Sequence, residues 1–209
     1  MDSNLARLID NFSSLLRKSI NIFKDTLYKG FYDLTGVPFR VKNVKLICEI
    51  WERVYEEICS SPRFLSEQFI IYSFVPTFIW LMYDSPIPIK GFCILSLSQE
   101  SLKLFLSNIF TKHGISVEEV EVEDFIKEVG NIVIGAFLNT ISKSTRSKVL
   151  YNVPELIIAP LPAVIESVLP SFAFNTVKGI GVQIEITSED GVEFSLISIL
   201  CLEELKENR

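Results

Sequence analysis

The sequence predicts an α/β (α+β) fold built from two repeated halves, each running helix, strand, helix, strand, strand. Three observations carry this expectation. Two long stretches, residues 4–34 and about 124–142, set apolar residues at helical spacing. Two pairs of long apolar runs are joined by turn sequences, DSP at 84–86 and SEDG at 188–191. The order of elements then recurs about 110 residues further along the chain. The expected product is one mostly antiparallel sheet with pseudo-two-fold halves and both long helices packed on one face.

The first helix has Leu8, Ile9, Phe12, Leu15, Leu16, Ile20, Ile22, Phe23, Leu27 and Phe31 at its apolar positions, with Ser3 or Asn4 as cap and Gly36 and Pro38 as stop. A strand at about 39–47 and a short helix at about 49–60, closed by Pro62, follow. The runs 68–83 and 87–97 are rich in β-branched and aromatic residues and read as paired strands. Ser98 is placed to cap a linking helix that ends near Gly114, with Glu100 in its first turn. The acidic run 116–123 leads into the second long helix, and a strand over about 148–159 comes next. Pro160 and Pro162 break the chain before a short helix at about 163–168, and strands at about 173–187 and 191–202 close the series. Gly179 and Gly181 read as strand glycines. Phe31, Trp80 and Phe110 are expected in the core. The whole is a single domain: a first half over about 4–97, a linking helix over 98–115, a second half over 116–202 and a polar tail at 203–209.

Composition narrows the function classes. Hydrophobic residues make up 48% and charged residues 22%, which fits a well-buried globular chain. A net charge of −6 without a Lys/Arg block argues against nucleic-acid binding through a basic patch. The most apolar window, 69–83, contains Pro76 and is shorter than the roughly 20 residues a membrane helix needs. The amino terminus lacks a basic segment followed by an apolar run, so no signal peptide is expected, and a cytoplasmic location follows. Cys48, Cys59, Cys93 and Cys201 are scattered in apolar surroundings and read as small buried hydrophobes. His113 is the only histidine and reads as a solvated helix end, leaving neither a zinc ligand set nor a nucleophile–histidine pair.

The chemistry-bearing stretch is 124–154, DFIKEVGNIVIGAFLNTISKSTRSKVLYNVP. On a helix, Asp124, Glu128 and Asn131 fall on one polar stripe, continued by Gly135 and flanked by Gly130. Phe125, Ile126, Val129, Ile132, Val133 and Phe137 form the apolar face. Each glycine costs a helix interior about 1 kcal/mol relative to alanine, so both need a reason. Close approach of another backbone beside Glu128 and Asn131 is the expected one. The plain alternative is a solvated helix face.

The spacing Asp124, three residues, Glu128, two residues, Asn131, twenty-two residues, Pro154 resembles the signature of the CheC/CheX/FliY phosphatases of bacterial and archaeal chemotaxis, in its CheC-like form. The resemblance implies that the substrate is the aspartyl phosphate of a CheY-like response regulator. It implies that Asn131 orients the attacking water, that Glu128 pairs with the regulator's lysine, and that Asp124 orients Glu128 or meets the partner at the rim. Pro154 would shape the strand entry. No cofactor or metal of the chain's own is implied, since Mg²⁺ comes with the regulator.

In the first half the matching positions are Ser14, Lys18, Asn21 and Val44. Lysine for glutamate reverses the charge that would meet a cation, a repulsion on the order of several kcal/mol at a desolvated contact. One working site is therefore expected. Further readings are a non-catalytic relative of the flagellar-switch type and an adaptor binding a regulator or a CheD-like deamidase. A duplicated chain can supply internally what a dimer would, so a monomer is expected.

Overall fold

The computed structural model describes residues 3–49, 51–82, 85–114, 121–168 and 176–203. Its elements are α1 (Ser3–Thr35), β1 (Phe39–Glu49), α2 (Trp51–Cys59), β2 (Glu67–Met82), β3 (Ser85–Leu97), α3 (Gln99–His113), α4 (Val122–Thr145), β4 (Lys148–Leu150), β5 (Glu155–Pro160), α5 (Leu161–Val168), β6 (Thr176–Ser188) and β7 (Glu193–Glu203). A single 3₁₀ turn at Pro62–Phe64 leads into β2.

All seven strands join one sheet in the order β1-β6-β7-β3-β2-β4, with β5 also on β2, and every pairing is antiparallel. This order is unchanged when the halves are exchanged. β3 pairs β7 at the centre, β2 and β6 flank them, and β1 and the β4–β5 run form the two edges. Each half thus lends its edge strand to the other half's hairpin, so neither half completes a sheet alone.

The two central strands are covered on both faces, and their side chains alternate between two cores. Cys93, Leu95 and Leu97 of β3 face one side with Phe194, Leu196 and Leu200 of β7. Phe92 and Ile94 face the other with Ile197, Ile199 and Cys201. That explains the near-continuous apolar runs FCILSL and FSLISILC, since a strand buried on both faces has no polar side to show. Helices α1, α3 and α4 cover the first core, and α2 and α5 the second. The long helices α1 and α4 pack against each other, with Phe23 and Phe137 edge to face at 5.7 Å. Phe31, Phe39, Phe105 and Phe194 form an aromatic cluster where α1 and α3 meet the sheet.

Local signals read in the sequence have physical counterparts. Ser98 Oγ accepts the Ser101 N–H at 3.1 Å, and Gly114 ends α3 with φ 65°. Phe31 and Phe110 are buried. The side chain of Trp80 lies outside the described residues, as do residues 83–84, 116–120, 173–175 and 204–209 of the expected elements. His113 sits in the exposed last turn of α3, its Nε2 3.2 Å from the Thr35 carbonyl oxygen. Cys93 and Cys201 are buried, whereas Cys48 and Cys59 are only half-buried, a correction to their expected place in the core. Gly181 lies under α2, where a Cβ would stand 2.7 Å from Val54 Cγ1.

The largest departure is at 148–159, expected as one strand. It is two, because residues 151–154 leave the ladder. Pro154 has no N–H to give to a ladder. The segment is tied to β2 instead by the Asn152 N–H donating to the Phe74 carbonyl (3.0 Å) and Ser73 Oγ donating to the Asn152 carbonyl (2.6 Å). In β1, where valine stands at 44, the strand runs through, with a bulge between Val41 and Asn43.

Candidate functional site

The site is built on α4 where it crosses the sheet beside the 151–154 break. The apolar side of α4 anchors it: Ile126, Val129, Val133 and Phe137 are each 2% exposed or less. Phe125 and Ile132, expected on the same face, are half-buried at its margin. The acidic first turn, Glu123 and Asp124, complements the positive end of the helix dipole.

Asp124 and Glu128 of α4 are exposed and Asn131 is half-buried. Neighbours at i and i+3 or i+4 sit with Cβ atoms roughly 5–6 Å apart. Glu128 and Asn131 make no hydrogen bond or ion pair among the described residues, leaving a carboxylate and a carboxamide free to meet a partner. Asp124 is different. Its carboxylate lies 3.8 Å from Lys127 Nζ, which Glu123 holds at 2.8 Å. The hydrogen bond that Lys127 donates to Glu123 is the main cause raising the Lys127 pKa, with the charges of Glu123, Asp124 and Glu155 adding to it. Asp124 is therefore part of an exposed cluster with Lys127.

The two glycines have reasons inside the fold: what crowds them are the side chains of Ile71 and Tyr151, where close approach of another backbone was expected. A Cβ on Gly130 would stand 2.3 Å from Ile71 Cγ2 of β2, so the glycine lets α4 lie close on that strand. A Cβ on Gly135 would meet the Tyr151 hydroxyl at 2.8 Å. Tyr151 comes from the 151–154 break and packs against the first core. Pro154 is buried and immediately precedes β5. Tyr72 of β2 donates to Glu155 at 2.8 Å, and this bond is the main cause raising the Tyr72 pKa.

Sequence reasoning missed Lys127, Tyr151 and the Tyr72–Glu155 bond. The Lys127 pairing was legible as a Glu123 i, i+4 contact. Nothing in the sequence shows that Tyr151 fills the space over Gly135. An apolar rim adjoins the site: Leu150 is 52% exposed, Val153 86% and Ile158 51%.

In the first half, Ser14, Lys18 and Asn21 lie exposed along α1, and Val44 is half-buried in β1 opposite Ile184. Among the described residues no group of three His, Cys, Asp or Glu side chains could hold a metal ion. No described helix is long and apolar enough to cross a membrane.

No protein-family model matches the chain, and no curated protein matches it in sequence. Solved structures do match. FliY from Thermotoga maritima superposes with a TM-score of 0.56 at 12% identity, covering 90% of this chain and 89% of that one. The FliM middle domain from Vibrio alginolyticus gives 0.52 at 10% identity, covering 90% and 92%. The chemotaxis protein CheX from Desulfovibrio desulfuricans gives 0.48 at 10% identity, covering 89% and 99%. The chain has the fold of FliY and the FliM middle domain. This FliY-like fold is the one the resemblance at 124–154 implied. Identities of 10–12% carry the likeness no further than the fold.

Proposed function

We propose that the chain is an aspartyl-phosphate phosphatase acting on a CheY-like response regulator, with one working site on α4. The observation that carries this reading is the pair Glu128 and Asn131, one turn apart and free of partners among the described residues, within the spacing that ends at Pro154. Asn131 enters the regulator's site and orients a water in line with the phosphorus–oxygen bond. A carboxamide suits this, offering an acceptor oxygen and two N–H donors without charge to repel the phosphoryl group. The water oxygen bonds to phosphorus, the acyl phosphate bond breaks, and the regulator keeps its carboxylate while inorganic phosphate leaves. The water-positioning glutamine of GTPases works by the same logic. Glu128 pairs with the regulator's lysine and fixes the approach of Asn131. Mg²⁺ belongs to the regulator.

The partner meets the exposed apolar rim at Leu150 and Val153 in a transient contact. Asp124, held by Lys127, stands at the edge of this surface. The chain acts as a cytoplasmic monomer, with a CheD-like deamidase as a further candidate partner. The competing reading, a binding or switch-type module without catalysis, has the fold shared with the FliM middle domain in its favour.

The deciding experiment is phosphate release from a chemically phosphorylated regulator, with wild type, Asn131→Ala and Glu128→Lys. Acceleration by wild type, lost in both variants at unchanged thermal stability, supports the phosphatase. Binding of the regulator without acceleration supports the module.

A further inference from the structure

A groove of about 370 Å³ opens between α1 and β1, on the opposite edge of the sheet from Asn131. Its floor is apolar, including Leu16, Ile20, Val44 and Val182, and Arg17 and Lys24 stand on the α1 wall. Seven residues along a helix separate those two cations by roughly 10 Å. Neither makes an ion pair among the described residues, whereas Lys42 on the β1 wall is already held by Glu193 at 2.9 Å.

The second half explains why the groove is there. In its matching seam, between α4 and the β4–β5 edge, the space over Gly135 is taken by a tyrosine hydroxyl. Gly130 brings α4 down onto Ile71, and Tyr151, which stands where Val41 does, reaches over Gly135. In the first half Ile20 replaces Gly130, and Asp25 and Val41 replace Gly135 and Tyr151. The filling ring is missing and the helix side of the crossing is bulkier, so the seam stays open.

Charge identifies the occupant. Residues 121–128 of the α4 end carry Glu121, Glu123, Asp124 and Glu128 against Lys127, while 11–18 of α1 carry only Arg17 and Lys18. A chain of net charge −6 thus presents a local cationic wall over an apolar floor. We infer that this groove binds a short acidic segment of a partner protein, its apolar side chains on the floor and two carboxylates on Arg17 and Lys24. A purely inorganic anion leaves the floor unused, and the long row of cations that a nucleic-acid backbone needs is missing. The inference does not depend on catalysis at Asn131.

The test is fluorescence anisotropy with the full chain and a labelled short peptide alternating Asp or Glu with Leu. Controls are the same peptide with Lys for the acids, the same peptide with Ser for Leu, and inorganic polyphosphate. The expected result is saturable binding of the acidic–apolar peptide alone, with amide shifts at Val41–Leu46 and Arg17–Lys24 in NMR. Affinity should fall at least tenfold in Arg17→Glu/Lys24→Glu and stay unchanged in Asn131→Ala. Val41→Tyr, which copies the ring of the other half, should also weaken binding while both cations remain. A folded charge-reversal variant that binds normally overturns the inference. So does an absence of binding by wild type, equal binding of the serine peptide or of polyphosphate, or shifts confined to α4.

Discussion

The two halves share an order of elements and a place in the sheet, yet they treat the seam between long helix and edge strand in opposite ways. In the second half α4 carries glycine at 130, lies on Ile71, and meets an edge strand broken at 151–154 whose Tyr151 reaches over Gly135. In the first half α1 carries Ile20, the strand runs unbroken through Val44, and a groove remains. The charge pattern changes with the packing: Glu128 becomes Lys18, a reversal, and Lys127, held by acids, becomes Arg17, which has no ion pair among the described residues. A repeated fold fixes where a helix face sits, while a few residues at the seam decide whether that face is a rigid platform or an open cleft.

On the proposed phosphatase reading, the largest effect that tests this contrast is catalytic. Asn131→Ala should reduce stimulated phosphate release by roughly two orders of magnitude or more, the scale of losing one group positioned for the transition state. Asn21→Ala, the matching change on α1, should leave release within about twofold. Equal losses from both variants, in proteins of equal thermal stability, would mean that two sites operate and that Lys18 does not disable the first.

The next effect is on packing. Gly130→Ala should destabilise by about 1–2 kcal/mol, since overpacking against fully buried Ile71 outweighs the helix preference for alanine. Gly135→Ala should cost less than about 0.5 kcal/mol, because the atom it meets is the tip of a tyrosine that can swing aside. Urea unfolding of both variants measures the difference. A double-mutant cycle with Ile71→Ala should show coupling of about 1 kcal/mol for Gly130. An equal cost at both glycines would remove the argument that α4 is seated by its contact with β2.

Much of this contrast was legible in the sequence because it rests on local periodicity. The 3.6-residue stripe of α4 placed Asp124, Glu128 and Asn131 on its polar side, and the recurrence of elements about 110 residues apart implied the exchange-symmetric sheet. What was not legible depends on contacts between distant segments. Gly130 has its reason in Ile71 and Gly135 in Tyr151, neither of which helix spacing can reveal. The break at 151–154 was hidden because KVLYNVPELIIAP has strand composition throughout, and only the missing N–H of Pro154 marks it. The groove was invisible for the complementary reason: a cleft exists where a filling side chain is absent.

The smallest expected effect concerns the other face of the sheet. Tyr55 of α2 donates to Glu166 of α5 at 2.6 Å, joining the two halves. The mirrored pair would be Ile165 and Glu56, which cannot form this bond, so the link is one-sided. The hydrogen bond to Glu166 is the main cause raising the Tyr55 pKa above its ordinary value of 10.0, with burial second. A raised folded-state pKa stabilises in full below the unfolded value and loses that stabilisation as pH rises through the folded one. Tyr55→Phe should therefore cost about 0.5 kcal/mol at pH 7, small because the bond is solvent-exposed. The gap between wild type and Tyr55→Phe should narrow above about pH 10, where the unfolded chain ionises its tyrosines and the folded chain resists. Glu56→Gln, the mirror position, should show no such pH-dependent gap. Urea unfolding at pH 7 and pH 10.5 separates these outcomes, and a gap that stays constant or widens would mean that the Tyr55–Glu166 bond does not join the halves in solution.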